Sequence, residues 1–273
     1  VPAFVQGGRK TGNLFAIFTQ LDSKIAERVT LSGGIRWEVY KFGSVSGVTL
    51  PNGRFGINYE ARKNTFIRFN IGQAFRFPSF AERFANESVG NGTLKVFPNI
   101  ELKPEYGWTS EIGIQQKIRS KRPNLYNGVF DFAFYWQEYH NMVEYTQYNF
   151  DTTGATEIVK LRPENISRAR VAGWDLSFKN DFNFGTKHNL NFTFGYTYAL
   201  PADLNPNNSK DLIKPKDYLK ELFKSAFKYS NNSITDYILK YRNRHLVTFD
   251  AEYSFNNLVS FGIDGRYYSK VEN

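Results

Sequence analysis

Apolar and polar residues alternate along most of the chain with a period of two. Phe130, Phe132 and Phe134, for example, occupy every second position, and polar or small residues lie between them. Because successive side chains of a strand point to opposite faces, this pattern predicts strands with one apolar and one polar face. Ten such strands are predicted, at residues 13–21, 28–41, 53–61, 64–74, 105–118, 126–140, 168–182, 186–199, 242–255 and 258–270.

The connections between these predicted strands alternate between short and long. The short ones are residues 22–27, 62–63, 119–125, 183–185 and 256–257, and the long ones are 42–52, 75–104, 141–167 and 200–241. In an up-and-down meander this order places every long loop at one end of the sheet. Short turns at one end and long loops at the other are typical of transmembrane β-barrels, whose long loops are extracellular. Most of the strands also reach the roughly 9–11 residues that a tilted strand needs to cross a bilayer.

The composition supports this interpretation. The chain has 26 Phe, 17 Tyr and 4 Trp, yet its mean hydropathy of −0.48 is that of a water-soluble protein. A barrel in lipid reconciles the two values, because its aromatic residues face lipid and its charged residues face a wet interior. A soluble β-sandwich or extended sheet, with the apolar face as its core, is the alternative. There is no cysteine and no apolar run of eighteen residues, which excludes disulfides, thiol chemistry and a transmembrane helix. The first residues lack the pattern of a signal peptide.

Motifs for catalysis or for cofactor binding are missing from the sequence. His140, His188 and His245 are far apart, so no metal site is expected, and no nucleotide-binding or hydrolase motif occurs. We therefore predict no enzymatic activity and no cofactor. The basic cluster at 117–122 is interpreted as a solvated turn, and no nucleic-acid partner is predicted. Apolar residues at helical spacing in 216–230 predict a short amphipathic helix within the longest loop, packed on that loop or contacting a partner.

Two segments, QAFRFPSFAERFA (73–85) and VFPNIELKPEYGWTSEIGIQQ (96–116), resemble the TonB-dependent outer-membrane receptors. In loop spacing and aromatic content the chain is most similar to receptors of the Bacteroidetes. The residues that carry this two-part motif are Phe75, Arg76, Pro78, Ser79, Asn99, Leu102, Lys103, Pro104 and Glu105. The resemblance implies an all-β fold, namely an antiparallel up-and-down transmembrane β-barrel portion of about ten strands. Members of the family have 22 strands, an N-terminal plug domain and an energy-coupling box. Residues 1–273 would then be a partial barrel domain without the plug and the last strands, and a complete ten-strand barrel is the alternative.

The same resemblance implies a function. It predicts an outer-membrane receptor that binds a scarce solute (siderophore, haem, cobalamin or glycan) and imports it with TonB-derived energy. The implied partners are outer-membrane lipid, the receptor's own plug domain, the TonB complex and a surface lipoprotein. A passive porin, or a small complete barrel that serves as an anchor or adhesin, is the alternative. Candidate ligand-binding residues lie in the predicted extracellular loops and are Arg76, Glu82, Arg83, Tyr145, Tyr148 and Tyr218.

Overall fold

The computed structural model describes residues 9–42, 45–49, 51–89, 92–120, 126–151, 158–204, 214–227, 238–239, 242–256 and 258–271. The secondary structure consists mainly of long strands with two helices between them. In chain order the elements are β1 (Gly12–Ala26), β2 (Val29–Phe42), β3 (Val45–Val48), β4 (Asn52–Arg62), β5 (Thr65–Arg76), α1 (Phe80–Phe84), β6 (Glu87–Val89), β7 (Leu94–Val96), β8 (Glu105–Arg119), β9 (Tyr126–Asp151), β10 (Ile158–Phe184), β11 (His188–Asp203), α2 (Pro215–Phe227), β12 (His245–Phe255) and β13 (Val259–Tyr268).

Ten of these strands form one antiparallel meander in the order β1-β2-β4-β5-β8-β9-β10-β11-β12-β13. They correspond to the ten predicted strands, and the predicted all-β fold is confirmed. Three of the tight turns contain a residue with positive φ, at Asn64 (70°), Gly185 (71°) and Asn256 (53°). Asn and Gly tolerate this left-handed conformation, which lets the chain reverse within a few residues. Within the described ranges β1 and β13 are the two edges of the sheet and do not pair with each other.

The prediction of a long loop at residues 141–167 is wrong. Strands β9 and β10 continue through most of this segment and form a hairpin that extends beyond the neighbouring strands. Asn141 of β9 has a φ of 55°, and Pro163 lies within β10 opposite Tyr145. The register of the hairpin shifts once, between Lys160 and Leu161. Asn in the left-handed region and Pro are typical of loops, so they obscured the strand pattern. The short strand β7 adds to this hairpin by pairing in parallel with β10.

The strand register gives the sheet one apolar and one polar face. On the polar face, Arg68 of β5 donates hydrogen bonds to Glu111 of β8 at 2.9 Å and to both carboxylate oxygens of Asp131 of β9 at 2.6 and 2.7 Å. Arg68 reaches Asp131 by crossing Gly113, the residue opposite it on β8. A Cβ at Gly113 would lie 2.9 Å from the guanidinium carbon of Arg68. The missing side chain therefore allows an ion pair between strands that are not neighbours.

A second contact of this kind joins β9 to β11 across β10. The Tyr135 hydroxyl donates to the Tyr198 carbonyl at 3.1 Å, and Gly173 of β10 lies between them. A Cβ at Gly173 would lie 1.8 Å from that carbonyl oxygen and 2.8 Å from the Tyr135 hydroxyl. We call these two arrangements, at Gly113 and Gly173, the glycine crossings. They connect alternate strands on the polar face.

The main cluster of buried apolar side chains lies beneath α2. Tyr218 and Leu222 of α2 pack against Trp174 of β10 and against Tyr198 and Leu200 of β11. The predicted helix within the longest loop is thus present, and it packs on the sheet rather than on its own loop. Neither helix in the described part of the chain has the length and apolar character needed to cross a membrane.

Candidate functional site

The first half of the sequence motif forms an ion-pair cluster where β5 ends. Arg76 donates to Glu105 at 2.5 and 2.8 Å and to Glu82 at 3.0 and 3.1 Å. Glu82 also closes a capping box with Ser79, in which the Ser79 amide donates to the Glu82 carboxylate at 2.6 Å and the Glu82 amide donates to the Ser79 hydroxyl at 3.2 Å. Such a box satisfies two free amides at a helix start. Arg76 therefore ties α1 to the first residue of β8.

The electrostatics of Glu82 follow from this cluster. Burial raises the pKa of Glu82, but hydrogen bonds from Arg76 and Ser79 outweigh burial and leave the pKa below its ordinary value. The ionised form is favoured because each of these hydrogen bonds is made to the carboxylate. Glu105 is buried as well, and its carboxylate accepts a further hydrogen bond, at 2.5 Å, from the amide of Val143.

The second half of the motif is bound to the extended hairpin by asparagine side chains. The Asn99 amide donates to the Pro163 carbonyl at 2.9 Å. Asn165 accepts from the Lys103 amide at 2.8 Å, and its side chain donates to the carbonyls of Lys103 at 3.0 Å and Asn141 at 2.7 Å. These bonds fix the segment that leads into β8 against β9 and β10. The motif thus joins four strands and one helix at the long-loop end, which we call the rim.

The aromatic residues of the motif region pack together at the rim. The ring of Phe77 contacts those of Tyr40, Phe42 and Phe75, and Phe80 lies edge-on to Phe42 with 5.5 Å between ring centres. Tyr40 and Phe42 are at the end of β2. The aromatic cluster therefore links the end of β2 to the segment that follows β5, and Pro78 ends that strand.

The six predicted ligand-binding residues lie in different surroundings. Arg76 and Glu82 are held in the ion-pair cluster, and Arg83 beside them is only 5% exposed and donates to the Ile100 carbonyl. Burial lowers the pKa of Arg83. Tyr145 is 44% exposed and lies opposite Pro163, whose carbonyl accepts the hydrogen bond from Asn99. Burial and the negative charge of Glu82 raise the pKa of Tyr145.

The other two predicted residues are not part of this group. Tyr218 is 2% exposed beneath α2, where its hydroxyl accepts from the Ala172 amide at 2.9 Å and donates to the Leu200 carbonyl. The side chain of Tyr148 is outside the described residues. The structure therefore brings Arg76, Glu82, Arg83 and Tyr145 together at the rim. Their role in ligand binding stays a prediction.

Sequence reasoning missed three features of this end of the molecule. Asn165 lay in a segment interpreted as loop, although Asn can bind backbone groups in this way. Arg242 forms an ion pair of 2.6 Å with Glu144 of the extended hairpin. Arg170 and Glu138 form an ion pair of 2.6 Å whose side chains are 6% and 7% exposed. No local pattern marks either ion pair, because each joins residues that are distant in sequence.

Comparison with known proteins decides the family. The model of the family described as "TonB dependent receptor-like, beta-barrel" matches residues 2–273. The chain belongs to the TonB-dependent receptor family. Members of this family are transport receptors rather than enzymes. No curated protein sequence matches the chain significantly. No cluster of three or more metal-ligating side chains occurs among the residues that the structure describes.

Solved TonB-dependent receptor structures share the fold. The FrpB iron transporter of Neisseria meningitidis is 15% identical with a TM-score of 0.56, and the match covers 96% of this chain and 34% of that one. The Serratia marcescens hemophore receptor HasR, solved with its hemophore HasA and heme, is 14% identical with a TM-score of 0.62 and coverages of 97% and 45%. The siderophore receptor PirA of Acinetobacter baumannii is 14% identical with a TM-score of 0.57 and coverages of 95% and 34%. The chain thus spans less than half the length of each of these receptors.

Proposed function

We propose that this chain forms part of the wall of an outer-membrane receptor that binds a scarce solute and imports it with energy from the TonB complex. One observation carries the proposal. The sheet is a ten-stranded antiparallel meander whose apolar face is exposed, while its other face holds ion pairs such as Arg68 with Asp131. Lipid on one side and a hydrated interior on the other account for both faces. A soluble sheet would have to cover its apolar face.

We further propose that residues 1–273 belong to a larger barrel. Strands β1 and β13 are edges of the sheet, and both carry exposed apolar side chains such as Phe15 and Phe261. Unpaired strand edges are not tolerated within the hydrocarbon region of a bilayer. Pairing of both edges with further strands of the same receptor satisfies this requirement. A plug domain inside the barrel would face the charged side of the sheet.

Ligand capture is assigned to the rim. Tyr145 offers an exposed aromatic ring there, beside the charged cluster of Arg76 and Glu82. In this proposal Arg76, Glu82 and Arg83 act mainly by holding the surrounding loops in place, because each already has partners within the chain. Tyr148 belongs to the same extended strand. Tyr218 serves packing, since it is buried beneath α2.

The solved relatives suggest which solutes to test first. Their names report an iron transporter, a hemophore receptor, siderophore receptors and a copper transporter. The family resemblance of the sequence adds cobalamin and glycans to the candidates. The full-length protein is expressed in cells that lack their own receptors for these solutes, and uptake of each labelled solute is measured with and without a functional TonB complex.

We expect one solute to accumulate in the cells only when the TonB complex is intact, and to bind at the surface in either case. Uptake that continues without TonB supports the alternative of a passive porin. Surface attachment of cells without uptake of any solute supports the anchor or adhesin. Co-purification from the outer membrane also tests the proposed surface lipoprotein, which should remain bound to the receptor in mild detergent.

A further inference from the structure

The helix α2 packs on the apolar face of the sheet. Tyr218 and Leu222 are buried against Trp174 and Leu200. By strand register Trp174 lies opposite Phe134, within the row of apolar residues that the proposed function places against lipid. The helix is therefore outside the barrel wall, and not above the hydrated interior where a loop that closes the barrel would lie.

The position of α2 along the wall matches the level of lipid headgroups. The Trp136 ring lies edge-on to Tyr218 with 5.3 Å between ring centres, and the Trp174 ring stacks on Phe223 at 6.0 Å. Tryptophan and tyrosine are enriched where the hydrocarbon region of a membrane meets water. Contact with two tryptophans near the long-loop end places the helix at the outer interface.

A charged pair in the wall explains why a helix lies at this point. Arg170 and Glu138 are on the same apolar face, and they bind each other at 2.6 Å. The Arg170 guanidinium lies against the rings of both Trp136, at 4.6 Å, and Tyr218, at 5.0 Å. An uncovered ion pair on a lipid-facing surface is costly. By supplying Tyr218, α2 covers the pair.

The remaining sides of α2 differ in chemistry. With about 100° between successive residues of a helix, Lys216, Lys220 and Lys224 form a row on the side that faces away from the sheet. All three are exposed, and Lys224 lies 3.7 Å from Glu221. Lysine rows on amphipathic helices bind anionic lipid surfaces.

The two flanks of the helix also differ in polarity, as expected for a helix at a membrane–water interface. Phe223, which is 53% exposed, lies toward Trp174, and β10 runs from there toward the short-turn end, across the membrane. Asp217 and Glu221 lie on the opposite flank by helical spacing. The apolar flank thus faces the hydrocarbon region, and the acidic flank faces water.

We propose that α2 is a membrane-interfacial helix that binds the phosphate groups of anionic lipids through Lys216, Lys220 and Lys224. It would attach the outer surface of the barrel to the surrounding lipid while covering the buried ion pair. This inference rests on the proposed membrane location of the sheet, because it requires lipid beside the apolar face.

The test uses single cysteines, since the sequence contains none. Full-length protein carrying Phe223→Cys is labelled with a polarity-sensitive fluorophore and placed in phosphatidylcholine nanodiscs with or without phosphatidylglycerol. Asp217→Cys is the water-facing reference, and Ile112→Cys, on the apolar face away from α2, is the lipid-facing reference. If Phe223→Cys weakens the helix, limited proteolysis of the α2 segment in the unlabelled protein, with a protease that does not cleave at lysine, repeats the comparison with and without phosphatidylglycerol.

We expect emission from position 223 at shorter wavelength than from 217, with a further shift when phosphatidylglycerol is present. Replacing Lys216, Lys220 and Lys224 with Gln should abolish that further shift, whereas replacing Lys63 and Lys187 at the short turns should preserve it. The inference is overturned if position 223 reports water while 112 reports lipid, or if the shift survives the triple replacement. If position 112 itself reports water, the proposal that the sheet lies in a membrane is contradicted, and the proposal that α2 lies at a membrane interface is contradicted with it.

Discussion

At the scale of single residues, the glycine crossings show how the lack of a side chain leaves room for a contact between two other residues. At Gly113 the guanidinium of Arg68 reaches over β8, and at Gly173 the phenol of Tyr135 reaches over β10. Ordinary cross-strand pairs join only neighbouring strands. The crossings add bonds between alternate strands on the face that is proposed to be hydrated.

Gly173→Ala is therefore expected to destabilise the sheet. A Cβ would lie 1.8 Å from the Tyr198 carbonyl oxygen, which is backbone and has little freedom to move. Forcing extra atoms into packed structure costs about 1–3 kcal/mol. The measurement is the thermal unfolding temperature of the full-length protein in detergent. Gly33→Ala is the control, because nothing lies within 4 Å of the Cβ that it adds. Equal unfolding temperatures for the two variants would contradict the proposed crowding.

Glu82 gives the rim a defined dependence on pH. Its pKa in the folded protein is below the ordinary value of 4.5. The ionised carboxylate therefore stabilises the rim above pH 4.5, and this contribution is lost as the pH falls through the lowered pKa. We expect hydrogen exchange in the segment from Ser79 to Ala85, corrected for the intrinsic effect of pH, to be constant from neutral pH to 4.5 and faster below it.

Glu82→Gln is the matched control for this titration. The amide keeps a similar shape but carries no charge, so the segment should exchange faster at neutral pH and change less on acidification. An unchanged acid response in this variant would show that another group controls the rim.

At the scale of secondary structure elements, the ion pair beneath α2 links the helix to the wall. Replacing one member of a buried ion pair leaves the other charge uncompensated and costs about 3–5 kcal/mol, whereas replacing both with apolar residues is often neutral. We expect Glu138→Leu to lower the unfolding temperature strongly and the double replacement Glu138→Leu with Arg170→Met to restore much of it.

Proteolysis of the segment that contains α2 provides a second measurement for these variants. Proteolysis should become faster in the Glu138→Leu single variant. Arg170, which packs against Tyr218 of α2, then has no carboxylate partner, and the packing of α2 on the sheet is weakened. If the effects of the two single replacements simply add in the double variant, the two residues are not coupled.

Most of the secondary structure could be predicted from the sequence, since the ten strands and the amphipathic helix follow from the periodicity of apolar residues alone. The extension of β9 and β10 could not, because Asn141, which has a positive φ, and Pro163, which lies opposite Tyr145, are residues typical of loops. The site of α2 also escaped prediction. Helical spacing identifies an apolar side through Leu219 and Leu222, but the surface that this side covers depends on strands distant in sequence.

At the scale of the whole molecule, the alternation of turns and loops sets an orientation in the membrane. Lys63 and Lys187 lie at the short-turn end and Glu101 lies at the rim, and all three are exposed. With each replaced in turn by cysteine, intact cells are treated with a thiol reagent that does not cross membranes. We expect labelling at 101 only, and labelling at 63 and 187 after the outer membrane is permeabilised. Labelling of 63 or 187 in intact cells would reverse the proposed orientation.

The rim motif was recognised in the sequence as a family resemblance, and the structure supplies its physical basis. Arg76 joins Glu82 and Glu105, and Asn165 holds the backbone of Lys103. The partners Asn141 and Asn165 were not predicted, because their contacts depend on the hairpin formed by the extended strands β9 and β10.

The glycine crossings also bear on how the sheet avoids misassembly. A strand that slips by two residues keeps its apolar side outward, so alternation alone does not distinguish the correct alignment from that error. With such a slip between β5 and β8, Arg68 would meet Glu111 or Gln115 in place of Gly113, and its path to Asp131 would be blocked by a side chain. A two-residue slip between β9 and β10 would likewise remove Gly173 from beneath Tyr135. Each glycine thus favours the correct strand register over a two-residue slip, which alternation of apolar and polar residues does not prevent.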